Sequence, residues 1–139
     1  MTSRAFFRAG VVLCYLFAAG HTAGFVQASL AARRDPTMAD LTRMMRATGS
    51  TVGGMRASIL DYREYFSVAF SLLLVLAMLL AQYAVAAGGD RLISGVSLRL
   101  AAGMIVLLCA SAWYGVFQGV VSCALIAALF IAAWVRGQA

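Results

Sequence analysis

The 139-residue chain has no lysine, a single histidine and only five acidic residues; charged residues make up 12% of it. A soluble domain carries about twice that charged share. Without those groups most of a folded surface cannot be made comfortable in water. A very apolar soluble domain is the competing reading, and the grouping of the apolar residues into long blocks argues against it. Cysteine is scarce as well, with Cys14, Cys109 and Cys123 inside apolar blocks. No two of them have metal-ligand spacing and their number is odd, so they read as small packing residues and not as a disulfide framework or a metal centre. There is no phosphate-cradling glycine loop, no local serine-histidine-acid set and no aromatic-basic motif for RNA or DNA. No nucleic-acid partner is expected.

What the chain does have is apolar sequence, 63% of its residues. About twenty such residues in an α-helix span the roughly 30 Å hydrocarbon layer. Four spans are expected, at approximately residues 8–31, 65–87, 95–114 and 116–135. The predicted class is therefore all-α, a single membrane domain built as a four-helix transmembrane bundle. Helices are required because hydrocarbon offers the backbone no partners, and long unbroken apolar runs find them only within a helix. A cleavable signal peptide competes for the first block, with Arg4 and Arg8 as its basic region and 11–19 as its apolar core. The block stays apolar to Leu30, longer than such a core requires. The last block, 92–135, is too long for one span. Splitting it near Tyr114-Gly115 gives an antiparallel helical hairpin with Trp113, Tyr114 and Trp134 near the interfaces.

Residues 31–63 are the long polar stretch, with six of the eleven arginines and three of the five acids. Asp35-Pro36 predicts a helix start, with Asp as N-cap and Pro in the first turn. Met38, Leu41, Met45 and Thr48 then recur at helical spacing, with Met44 beside them and Gly49 as the expected stop. This is a short amphipathic helix in the first loop, lying on the membrane surface or packed on the end of the bundle. Gly53-Gly54 reads as a flexible turn. The lipid bilayer, through its headgroups, is the expected partner of these arginines. Four spans put both termini on one side, with Arg4, Arg8, Arg91, Arg99 and Arg136. Arg33, Arg34, Arg43, Arg46, Arg56 and Arg63 lie opposite; five against six does not decide orientation by count, and cytoplasmic termini are the slightly preferred expectation. Arg99 is expected to snorkel to the headgroups.

Few residues can carry chemistry. His21 is ionisable and falls at membrane depth, which makes it the candidate catalytic or cofactor-binding residue. It can ligate haem or a metal or move a proton, with Asp61 or Glu64 assisting at the start of the second span. The competing reading is a neutral imidazole bonded to another helix, with Asp61 and Glu64 serving the helix dipole. One histidine makes no metal site, so no metal is expected and the cofactor is unknown. Gly20 and Gly24, four apart, share a face of the first helix and are candidate helix-packing residues, toward a second copy or another membrane protein. Gly115 and Gly119 have the same spacing but fall at the proposed turn.

Gly20-His21-Thr22-x-Gly24, followed by a linker of about thirty residues and by Arg56-x-x-x-x-Asp61-Tyr62 entering an aliphatic helix, resembles a family of small bacterial four-helix integral membrane proteins. The resemblance implies a bacterial membrane location and no substrate. Tyr65 and Ser67 stand where that family has glycines. The layout is also similar to other four-helix membrane families, some of which handle quinones or sterol-like lipids.

Three functions are compatible with these features. The first is a non-enzymatic subunit or accessory protein packing through its glycines. The second is a lipid-, quinone- or haem-interacting enzyme or binder using His21. The third is an oligomeric transporter or channel, against which the lack of several buried charges argues.

Overall fold

The computed structural model describes residues 2–52 and 55–138. Its elements are α1 (Ser3–Ala31), α2 (Pro36–Ala47), β1 (Gly49–Val52), β2 (Met55–Ser58), α3 (Ile59–Gly88), α4 (Asp90–Trp113) and α5 (Phe117–Arg136). The chain is all-α in class, a multi-pass membrane protein. Helices α1, α3, α4 and α5 are each long and apolar enough to cross a bilayer, and α2 is a short helix outside the membrane between the first two.

Helices α1, α3 and α4 begin earlier than the spans expected from the sequence. Helix α3 starts at Ile59, because Ser58 and Asp61 form a reciprocal cap. The Asp61 carboxylate accepts from the Ser58 amide (2.8 Å) and hydroxyl (2.7 Å), while the Asp61 amide donates to the Ser58 hydroxyl (3.1 Å). Two otherwise orphaned donors are thereby satisfied, and the helix can form before it meets hydrocarbon. Asp35 caps α2 as its sequence predicts, accepting from the Thr37 amide at 2.9 Å, with Pro36 in the first turn.

The linker also contains two short strands that no period-two pattern foreshadows. β1 and β2 pair antiparallel, with Gly49 opposite Ser58. Helix α2 ends at Ala47 with Thr48 as its C-cap, and Gly49, the expected stop, opens the ladder. A Cβ at Gly49 would lie 2.5 Å from the Ala57 carbonyl oxygen, so the close strand approach needs glycine there. The turn expected at Gly53-Gly54 lies outside the described residues.

Two compact units are present. The first, Met1–Phe17 with Val75–Ala139, holds the opening half of α1, the closing half of α3, and α4 and α5. Its interior follows helical periodicity: Phe7, Val11 and Cys14 on α1, Met78 and Ala81 on α3, Ile93, Ser97, Ala101 and Met104 on α4, and Cys123, Ile126, Ala127, Phe130 and Ala133 on α5. Phe7 and Phe130 meet as tilted rings 6.1 Å apart. Gly10 lies under Phe130, and a Cβ there would sit 2.8 Å from the ring. Helices α4 and α5 pack along one another as the expected hairpin. Gly115 takes a positive φ of 68° in their turn, a conformation that favours glycine. A Cβ at Gly119 would be 2.6 Å from the Ser111 hydroxyl, so this glycine serves packing and Gly115 serves the turn. In the same unit Ser3 donates to the Ala133 carbonyl (2.6 Å), Arg4 pairs with Asp90 (2.6 Å) and Gln138 donates to Ser94 (2.7 Å). These contacts gather the start of α1, the start of α4 and the end of α5. Arg99 folds back to donate to the Gly95 carbonyl (3.0 Å), toward the start of α4, the direction snorkelling requires.

The second unit, Ala18–Leu74, holds the closing half of α1, the linker with α2 and the hairpin, and the opening half of α3.

Candidate functional site

His21 lies in the second unit. Its ring meets Phe70 of α3 edge-on, with centroids 5.1 Å apart and planes at 64°. One residue on, the Thr22 hydroxyl donates to the Ala18 carbonyl (3.0 Å) and lies 3.1 Å from the Ser71 hydroxyl; the Ser71 hydroxyl in turn points at the same carbonyl, 3.5 Å away. The residue pairs 21/70 and 22/71 thus form one seam between α1 and α3. At its level lies a small polar knot of two hydroxyls and a carbonyl, each group finding a partner inside hydrocarbon.

His21 is the exception to that satisfaction. Its Nε2 is buried and has no hydrogen-bond partner among the described residues. A neutral imidazole carries one donor and one acceptor nitrogen, so one of the two functions is left unmet. An unmet buried donor or acceptor costs about 1–3 kcal/mol. The sequence alone can flag His21 as an ionisable residue at membrane depth; it cannot reveal that Nε2 is unpartnered, which depends on what α3 places beside it.

The acids named with His21 are not brought to it. Asp61 precedes Phe70 by nine residues on α3 and Glu64 by six. Helical rise therefore places them about 13 Å and about 9 Å along the axis from the level of the imidazole. Asp61 is moreover committed to the Ser58 cap. Above the seam, the Arg63 guanidinium lies 5.9 Å from the Phe25 ring centroid. Tyr62 stacks on Phe66 at 6.5 Å and Tyr65 meets it edge-on at 5.5 Å, an aromatic band suited to a membrane interface.

Gly20 and Gly24 are exposed, and a Cβ built on either meets no atom within 4 Å. Their face of α1 is open, in contrast to Gly10 in the same helix. No group of three His, Cys, Asp or Glu residues capable of holding a metal occurs among the described residues. Cys14 and Cys123 are buried free thiols and Cys109 is an exposed one. Comparison with known proteins returns nothing: no family model, no curated protein and no solved structure matches the chain. The chain is a small multi-pass helical membrane protein.

Proposed function

We propose that this chain is a non-enzymatic subunit or accessory protein of a membrane, associating with a second copy or another membrane protein through the Gly20/Gly24 face of α1. The observation that carries the reading is the empty space over both glycines, in a helix whose other half uses glycine for tight packing. Lipid tails are as apolar as leucine, so helices associate in a bilayer by close backbone approach, which small residues allow. Kinship with the small bacterial four-helix family of the Gly-His-Thr-x-Gly pattern belongs to the same proposal. So do a location in a bacterial inner membrane and termini together on the cytoplasmic side. The contacts that join Ser3 and Arg4 to Ala133 and Asp90 support a shared side for the two ends.

The test is crosslinking and sizing of the chain in bilayers and mild detergent. Gly20→Leu with Gly24→Leu is expected to abolish association while leaving helix content and thermal stability of the monomer unchanged. An unaltered size distribution would refute the proposal.

One observation favours a second reading, a small-molecule binder using His21: its unpartnered buried Nε2. In this reading a ligand such as a haem or a quinone supplies the missing partner. An absorption band in the purified protein that disappears in His21→Ala would establish it. In the first reading His21→Leu leaves function intact and, by removing an unmet polar atom, is expected to be neutral or stabilising.

A further inference from the structure

The linker carries an excess of arginine over acid, and its acids are held by partners of their own. Its six arginines face three acids within residues 31–63. The structure shows that all three acids are already engaged. Asp35 caps α2 through the Thr37 amide, Asp61 caps α3 through Ser58, and Asp40 pairs with Arg43 three residues on. Arg63 leans over Phe25. Arg33, Arg34, Arg46 and Arg56 are left without an ion pair among the described residues; Arg46 acts on Asp61 only through space. All four are exposed.

Helix α2 carries the second half of the argument. None of its residues is buried, and Met38, Leu41 and Met44 are 44%, 51% and 68% exposed. At 100° per residue Met38, Leu41 and Met45 share one face, Met44 borders it, and Arg43 and Asp40 lie opposite. Both ends of the helix are pinned to membrane spans. At the start, the Asp35 amide donates to the Ala31 carbonyl at the end of α1 (2.9 Å). At the finish, the Ile59 amide at the start of α3 donates to the Thr48 carbonyl (2.9 Å). A helix tied at both ends to two hydrophobic spans stays near the membrane interface, the region where an apolar edge can meet acyl chains and arginines can meet phosphates.

We infer that the linker is a docking surface for anionic phospholipid, in which Arg33, Arg34, Arg46 and Arg56 bind headgroup phosphates while Met38, Leu41 and Met44 enter the acyl boundary. The charge complementarity is direct: unpaired guanidiniums present several donors in a planar fork that matches phosphate oxygens. An open cleft at the end of α1 is lined by Gln27, Leu30, Ala31, Arg34 and Asp35, placing an apolar wall beside the Arg34 guanidinium, with the Asp35 carboxylate turned to the Thr37 amide.

The test uses the full chain in nanodiscs of phosphatidylcholine alone and of phosphatidylcholine with phosphatidylglycerol, with amide hydrogen exchange followed over residues 38–47. Exchange is expected to slow several-fold in the discs containing phosphatidylglycerol. The difference is expected to vanish at high salt and in the variant with all four arginines changed to glutamine. Equal exchange in the two lipids overturns the inference. Native mass spectrometry gives an independent measure: phosphatidylglycerol retention should fall roughly fivefold for each arginine replaced, and undiminished retention in the fourfold variant overturns the inference. Leu41→Asp, which keeps every arginine, should remove the protection without changing helix content elsewhere; protection that survives it counts against the apolar contact. Protection of α2 in phosphatidylcholine discs by RNA or an acidic polypeptide, and not by phosphatidylglycerol, would replace the lipid with that partner.

Discussion

The two halves of helix α1 present two different surfaces. In its first half Phe7, Val11 and Cys14 are almost wholly buried, and Gly10 lies so close under Phe130 that no side chain fits. In its second half Gly20 and Gly24 look into open space, and His21, Phe25 and Ser29 are only partly covered. Both halves are apolar and both contain glycine, so composition does not separate them. The difference lies in what stands opposite. Interleaved side chains of four helices fill the first unit, whereas the second relies on a polar knot, a capped helix start and surfaces that end at lipid. Glycine in the first half is a packing residue already in use. In the second half it is a packing residue awaiting a neighbour.

Substitutions along this contrast should have graded effects. Gly10→Leu, driven into the Phe130 ring, is expected to destabilise the protein by about 1–3 kcal/mol in a reversible denaturation assay. Gly24→Leu should cost the monomer less than about 0.5 kcal/mol, since exposed positions tolerate change. If the two variants proved equally destabilised, the open face of α1 would not be open. Ser58→Ala removes the cap of α3 and should cost about 1 kcal/mol. It should also speed amide exchange in the first turn of that helix more than anywhere else. Asp35→Ala should lower the helicity of α2 by a comparable local free energy and leave the four spans untouched, as exchange rates in the two regions would show. The smallest effect is expected at Ser97 in the first unit, whose buried hydroxyl has no hydrogen-bond partner among the described residues. Ser97→Ala removes an unmet polar group and should be neutral or slightly stabilising. A loss above about 1 kcal/mol would mean that the hydroxyl has a partner, such as a buried water.

Much of the architecture was legible along the chain because the responsible forces act over short sequence distances. Residues 66–87 are uncharged, and that alone makes the core of α3 a span. Asp35 and Pro36 announce the start of α2 through groups two residues apart, and Tyr114-Gly115 marks the turn between α4 and α5. The β1–β2 pair escaped because four residues per strand are too few for a period-two alternation to be read. The starts of α1, α3 and α4 escaped because hydropathy marks the hydrocarbon edge and not the end of the helix; Ser58 and Asp61 start α3 before that edge, and α4 starts at Asp90 behind Gly89 with no side-chain cap. Of the candidate site, the identity of His21 was readable. Its separation from Asp61 and Glu64 became clear only once Phe70 was known to be its neighbour on α3.

Sequence by itself settled the solvent of this protein, since hydrophobic length is a one-dimensional property that any window of twenty residues reveals. Tertiary structure alone decided which groups are already spoken for. Asp61 belongs to Ser58, Asp40 to Arg43 and Gly10 to Phe130, while Gly20, Gly24 and four linker arginines remain unclaimed. Pairing depends on distance in three dimensions, and the same residue type is committed or available according to the neighbour that the fold sets beside it.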